Sequence, residues 1–324
     1  VLHRTDPPKH AGHRKLVDRV FTAARVRDLV PEVESLAHEL VDKFVEKGSC
    51  DLIKDFALPL PGMILGEQLG LDKTQFARFQ KWALAMLATS NEIMSDDRLR
   101  EIADIELDAQ HYLAKVFEDR RNTPTGDLIS DLVHVAEDGE DPFTEHELQN
   151  LLNQLITGGY ETTTSAIAHG LWLLIQHPEQ YAKLREKPEL LKRFVDETLR
   201  LESPVQGIMR SVTKDTVLRG VALKAGDTLI LRFGAANQDP EKFECPRKFD
   251  IERKNAHAHL SFGGGIHACL GQQLARQEIL IGIRVLLERL ENFSIDADFP
   301  EPAYVYSLNF RPLKALPIKF TKRA

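Results

Sequence analysis

The stretch Phe262-Gly263-Gly264-Gly265-Ile266-His267-Ala268-Cys269-Leu270-Gly271 decides how the chain is read. It sets a cysteine at the junction of a glycine-rich loop and a helix predicted over residues 270 to about 290. Glycines there admit φ angles closed to other residues and let a flat ligand approach the backbone closely. Backbone N–H groups and the positive end of the following helix favour the thiolate, the form that ligates metal or attacks an electrophile, so the Cys269 pKa is expected to be lowered. Three readings compete for the loop alone. A phosphate cradle would want Lys-Ser/Thr after the glycines, where Cys269 stands instead. A cysteine nucleophile would take His267 as its base, yet residues two apart rarely present their side chains to one reacting atom. The third reading is a tight turn with an inert cysteine.

Upstream, over residues 9 to about 202, apolar residues recur at three and four, as in Val33, Leu36, Ala37, Leu40, Val41, Phe44 and Val45, which predicts helices. One helix opens at Thr144 with Glu147 three residues on, a capping box. Its pattern continues through Gly158-Gly159 to about Ile175, roughly 48 Å at ~1.5 Å per residue. Another starts at Pro188 and ends before Pro204, with Leu191, Val195 and Leu199 on one stripe. Beyond it the pattern shortens. Strands are predicted at 211–213, 228–231, 293–295 and 316–320, with Lys224-Ala225-Gly226-Asp227 as a turn and 237–255 as an ordered loop. Without an internal repeat or low-complexity tract, residues 1–324 read as one mainly α domain with a minor β part.

The 324 residues are 43% hydrophobic and 28% charged, long enough to bury a core around a cofactor and too balanced for a disordered or fibrous chain. Lys and Arg number 42 against 49 Asp and Glu, a net charge of −7 that argues against a nucleic-acid partner. No apolar run reaches the ~18–20 residues that span a bilayer. The three cysteines, Cys50, Cys245 and Cys269, lack the paired spacing of a disulfide framework or zinc site, which predicts a reducing cytoplasm. Residues 1–8 carry neither a signal peptide nor a starting methionine, so the stretch is expected to begin inside a domain.

The cysteine loop resembles the haem-binding signature of the cytochrome P450 family, Phe-x-x-Gly-x-His/Arg-x-Cys-x-Gly, at Phe262, Gly265, His267, Cys269 and Gly271. Three further stretches match in order. Glu197 and Arg200 resemble the family's Glu-x-x-Arg, implied to be a buried structural pair. Its third member, an arginine just before a phenylalanine, falls at Lys248 in Cys245-Pro246-Arg247-Lys248-Phe249, and lysine lacks the bidentate fork. On the long helix, Gly158-Gly159-Tyr160-Glu161-Thr162-Thr163 resembles the oxygen-activation motif Ala/Gly-Gly-x-Asp/Glu-Thr. That match implies a hydrogen bond from Thr162 at the oxygen-binding face and a link through Glu161 to a proton source. Near the start, His10 and Arg14, one helical turn apart, resemble the pair that binds haem propionates, and Arg210 and His267 match the other propionate positions.

The resemblance implies the cytochrome P450 fold, with haem b (iron protoporphyrin IX) between the long central helix and the cysteine loop and Cys269 as the iron ligand. The implied reaction uses O2 and inserts one oxygen atom into a C–H bond of a hydrophobic small molecule. Substrate walls are implied at Thr157, Gly158, Val205, Gly207, Ile208 and Tyr306, together with the segment 86–94. With no flavin or iron–sulfur motif, electrons are expected from a ferredoxin and its reductase, and Lys9, Arg14, Lys15 and Arg19 offer positive charge for docking. The implied enzyme is bacterial, cytoplasmic and monomeric, with no membrane segment. Family members usually carry a further N-terminal segment that this stretch lacks. A haem sensor would have no need of Glu161 and Thr162, and a peroxygenase would replace that acid–alcohol pair.

Overall fold

In the computed structural model, residues 2–71, 73–91, 94–296, 302–307 and 309–323 are described. The periodic two-thirds of the chain forms α1 (Lys9–Val20), α2 (Ala23–Asp42), α3 (Pro59–Gln68), α4 (Phe76–Asn91), α5 (Asp96–Asn122), α6 (Leu128–Val133), α7 (Glu145–Gln176), α8 (Pro178–Glu186) and α9 (Leu191–Leu201). After the short α10 (Phe233–Ala236), only α11 (Gln272–Arg289) is long. The strands are β1 (Ser49–Asp51), β2 (Ile208–Ser211), β3 (Thr216–Leu218), β4 (Val221–Leu223), β5 (Thr228–Leu231), β6 (Leu290–Ile295) and β7 (Pro317–Lys322).

The capping box at Thr144 forms as expected. Glu147 N–H donates to Thr144 Oγ1 at 3.2 Å, and Thr144 N–H donates to Glu147 Oε2 at 3.0 Å, so two amides at the helix start are satisfied reciprocally. From that start α7 runs unbroken through Gly158-Gly159 and joins two hydrophobic cores. Leu148, Leu152, Ile156 and Tyr160 pack in the core shared with α1, α4, α5 and α6. Ala166, Ile167, Leu171 and Leu174 pack in the other, shared with α2, α3, α9, α11 and the β1-β7-β6 sheet. The residues between, from Glu161 to Ser165, are polar.

The strands hold two surprises. β2 begins three residues earlier than the local pattern predicts, because pairing with β5 sets its extent: Ile208 lies opposite Leu231 and Ser211 opposite Thr228. The β3–β4 hairpin turns on Arg219 and Gly220, both at positive φ (46° and 83°), the backbone of a tight two-residue hairpin loop. Arginine is an unusual residue for that position, which hid the turn. Among the described residues, no helix is long and apolar enough to cross a membrane.

Glu278 of α11 is buried, and burial pushes its carboxyl up to about 8, so it folds as the neutral acid. Between the unfolded carboxylate pKa of ~4.3 and pH 8, the folded chain holds a proton that the unfolded chain releases. Stability on this account is fully present below about pH 4 and falls by ~1.4 kcal/mol per pH unit across the window. Glu278→Gln, neutral throughout, is expected to unfold at a higher urea midpoint than wild type at pH 8. That advantage should shrink towards pH 5, and equal differences at both pH values would count against the assignment.

Candidate functional site

Gly263 and Gly265 both take the left-handed backbone (φ 67° and 68°), which lets the cysteine loop double back on itself. Ala268 N–H donates to Gly265 O at 3.0 Å and Cys269 N–H to Phe262 O at 2.9 Å. The helix begins at Gln272 with Gly271 as its cap, two residues later than expected. Cys269 therefore stands just ahead of the helix, near enough to the backbone N–H groups of Gly271 and Gln272 for them to favour its thiolate. Arg14 braces the loop from α1 through Nη1 to Ala268 O at 2.8 Å.

The thiol pKa departs from expectation. Burial raises it, and the amides of Gly271 and Gln272 together with the Arg14 charge only partly offset that rise. Amides and one arginine do not replace lost hydration for a sulfur anion in an apolar setting. A cation bonded to the sulfur would deprotonate it outright.

The expected anion-binding residues gather beside this loop. His10 is buried on α1 with its ring centroid 4.4 Å from that of His267. Burial first, then the charges of His10 and Arg210, hold the His267 imidazole below its ordinary pKa. Arg14 completes the group. The wider basic face does not survive: Lys9 pairs with Glu147 at 2.8 Å, Lys15 with Glu140 at 2.7 Å, Arg14 with Asp18 at 2.8 Å and Arg19 with Glu140 at 2.5 Å. The fold sets Glu147 and Glu140 against Lys9, Lys15 and Arg19, and Asp18 of the same helix pairs with Arg14, so these cations already have acidic partners.

On α7, Thr162 Oγ1 donates to Gly158 O at 2.6 Å, one turn back along the helix. Thr157 makes the same kind of bond to Asn153 O at 2.9 Å. A Cβ placed on Gly158 would meet nothing within 4 Å, and the same is true of Gly264, Gly265 and Gly271, so both the helix and the loop border open space. A cavity of about 170 Å³ also opens beside Cys269, lined by Arg14, Leu29, Leu65, Leu270 and Gln272.

Val205 bridges to Phe310, Ile208 sits in β2, and Gly207 is pressed so closely on β5 that a Cβ would lie 2.9 Å from Leu231 O. Tyr306 is 76% exposed and closes no wall in this arrangement. Of the segment 86–94, residues 92 and 93 and the side chains of 89–91 lie outside the described residues.

Glu197 and Arg200 form the expected buried pair, with Nε–Oε2 at 2.7 Å and Nη2–Oε1 at 2.8 Å. The third member is not Lys248. That side chain is 66% exposed and lies 3.9 Å from Asp250. Arg253 takes the place, with Nε donating to Glu197 Oε1 at 3.0 Å and its remaining nitrogens reaching the carbonyls of Glu244, Cys245 and Lys248. The available signal was an arginine four residues beyond Phe249, but local pattern does not say which cation of Arg247, Lys248 and Arg253 turns inward.

A family model described as "Cytochrome P450" matches residues 2–304. The chain belongs to the cytochrome P450 family. It is 36% identical over 320 residues to the polyketide biosynthesis cytochrome P450 PksS of Bacillus subtilis, across 98% of this chain and 77% of that protein. Over 321 residues it is 36% identical to the cytochrome P450 monooxygenase PikC of Streptomyces venezuelae, across 98% and 75% of the two chains. The crystal structure of P450BioI, in complex with an acyl carrier protein ligated to hexadec-9Z-enoic acid, superposes with a TM-score of 0.92 at 33% identity, covering 99% of this chain and 81% of that one. As a P450 the chain is a haem monooxygenase that uses O2, acts on a small molecule and receives electrons from redox partners.

The residues present fit a haem. A flat, apolar macrocycle with two carboxylates and one open metal bond needs a single soft donor, open space free of side chains on either side and cations at one edge. Cys269, the unobstructed glycines of the loop and α7, and the His10, Arg14, Arg210 and His267 group supply these in turn. Among the described residues no three His, Cys, Asp or Glu gather as an alternative metal centre.

Proposed function

We propose that the chain is a haem b monooxygenase in which the Cys269 thiolate ligates the iron and one oxygen atom of O2 is inserted into a hydrophobic organic substrate. The observation that carries this reading is the setting of Cys269: its sulfur faces two backbone N–H groups in a loop braced by Arg14 and bordered by open space. Bound there, the haem supplies O2 activation, with the thiolate pushing electron density towards O–O cleavage. The chain's own residues bind and orient. His10, Arg14, Arg210 and His267 hold the propionates, Phe262 and Gly271 shape the loop, and Glu197, Arg200 and Arg253 tie α9 to residues 237–253, the segment ahead of the cysteine loop.

Thr162 and Glu161 form the proton-delivery pair in this reading. In this reading the Thr162 hydroxyl, which rests on Gly158 O, turns to pass a proton at the oxygen-binding face, and Glu161 renews it. In this reading Thr157, Gly158, Val205, Gly207 and Ile208 line the substrate side, with open space beside Gly158. PksS is named for polyketide biosynthesis and P450BioI was solved with a fatty-acyl carrier protein, which supports a largely apolar substrate. A ferredoxin and its reductase deliver the electrons to a monomer in the bacterial cytoplasm.

The test is the absorption spectrum of the dithionite-reduced, CO-bound protein. A strongly red-shifted Soret band supports thiolate ligation, and a protein that binds no haem would sink the reading. Thr162→Ala is expected to slow product formation by ~10²-fold, as for loss of a proton-transfer group. Electron consumption should fall much less, with the difference appearing as reduced oxygen. Coupled turnover at the wild-type rate would remove Thr162 from the mechanism.

A further inference from the structure

We infer that Arg276 is a positioning residue for the cysteine loop, acting through Phe262, with Asp196 and His259 completing a charged clamp around that ring. Arg276 lies seven residues beyond Cys269, on the second turn of α11. Its guanidinium sits 4.8 Å from the Phe262 ring centroid, the stacking geometry of a planar cation on an aromatic face. Nη1 is ion-paired with Asp196 of α9, and Nη2 lies 3.4 Å from His259 Nε2. The His259 ring approaches Phe262 at 5.7 Å between centroids, and its Nε2 is 3.6 Å from Asp196 Oδ1.

The surrounding segment is fastened as well. Ser261 N–H donates to His259 Nδ1 at 3.1 Å, and Ser261 Oγ donates to Leu199 O at 2.6 Å. Asn237 Nδ2 donates to Ser261 Oγ at 2.9 Å, and Asn237 Oδ1 accepts from Leu260 N–H at 2.6 Å. Up to Ser261 these bonds hold the backbone. The Phe262 ring packs against the core on one side and meets Arg276 and His259 on the other, and Phe262 O is the acceptor for the Cys269 N–H. Displacing Phe262 therefore displaces Cys269. Adjacent acids of α9 serve two different segments: Glu197 grips the one containing Arg253, and Asp196 grips Arg276 and His259.

Groups that orient a metal ligand without touching the metal alter both its geometry and the metal's potential. Arg276→Leu removes the planar face from Phe262 and a positive charge from beside the loop. Arg276→Lys keeps the charge without the planar face, and Asp196→Asn keeps the guanidinium without its counter-charge. This inference rests on the proposed role of Cys269 for its redox consequences, whereas the ordering of the loop does not depend on what the sulfur binds.

The haem-loaded full chain is compared with these three variants by amide hydrogen exchange over 262–271, by the reduced CO spectrum and by the ratio of reduced to oxidised haem at a fixed potential. Arg276→Leu is expected to speed exchange of the Cys269 amide about tenfold, to convert part of the CO complex to a form without thiolate ligation and to lower the reduced-to-oxidised ratio at least about threefold. Arg276→Lys should exchange nearly as fast as the leucine variant yet keep the wild-type ratio. Asp196→Asn should raise that ratio, and it carries the exchange measurement if the leucine variant does not fold. Wild-type exchange together with a wild-type CO spectrum in Arg276→Leu, or wild-type exchange and ratio in Asp196→Asn, would overturn the clamp. A wild-type protein without the thiolate band would instead overturn the role of Cys269, and the exchange results would still decide the clamp.

Discussion

Cys269→Ala is expected to abolish monooxygenase turnover and the thiolate Soret band of the reduced CO complex while leaving the chain folded. The sulfur is the soft donor that the loop presents, with two backbone amides and Arg14 arranged around it. Alanine keeps the loop's bonds, including Cys269 N–H to Phe262 O and Arg14 Nη1 to Ala268 O, because neither uses the cysteine side chain. The stability cost is then that of trimming one partly buried side chain, about 1 kcal/mol. Haem retained by the propionate-binding residues would show a CO band without the thiolate shift. A variant that kept both the shifted band and turnover would place the iron ligand elsewhere, whereas a merely structural cysteine would lower the melting temperature without touching the band.

The second large effect concerns stability. Arg200→Leu removes a fully buried guanidinium that satisfies both oxygens of Glu197 and donates to the carbonyls of Asn237, Pro246 and Lys248. What remains is a buried carboxylate held at Oε1 by Arg253 and the Asp250 N–H, with Oε2 stripped of its arginine, and the Asn237 and Pro246 carbonyls without this donor. Breaking such a pair by removing one partner costs about 3–5 kcal/mol, a large share of a domain stability of roughly 5–15 kcal/mol. Expression of soluble, haem-loaded protein should collapse. Arg253→Leu should cost less, since Glu197 keeps its bidentate partner, and Lys248→Ala should stay within about 0.5 kcal/mol because its side chain is solvated. Denaturant midpoints in the order Lys248→Ala, then Arg253→Leu, then Arg200→Leu, from most to least stable, are the expected outcome. A Lys248→Ala variant as damaged as Arg253→Leu would contradict the assignment of the triad.

Much of the fold was legible because it is locally encoded. Thr144 and Glu147 form a capping box within one turn, and the three-and-four spacing of apolar residues along α2 and α7 records which face each helix buries. The short β1 escaped notice because three residues carry no period of their own. It exists through its pairing with β7, more than 260 residues away. The β3–β4 turn escaped because Arg219 adopts a backbone that arginine seldom takes.

The ten residues from Phe262 to Gly271, with Glu161, Thr162, Glu197 and Arg200 in order before them, pointed by themselves to the family and to the cysteine at the centre of the proposal, and the three-and-four apolar period to the helical class. Tertiary structure alone decided three things. It chose Arg253 over Lys248 as partner to Glu197, it set acids from other segments against Lys9, Lys15 and Arg19, and it raised the Cys269 thiol pKa where the helix end predicted a fall. The reason is common to all three. A motif and a period describe neighbours along the chain, whereas ion-pair choice and burial depend on what the fold brings from more than a hundred residues away, or from the far side of a loop.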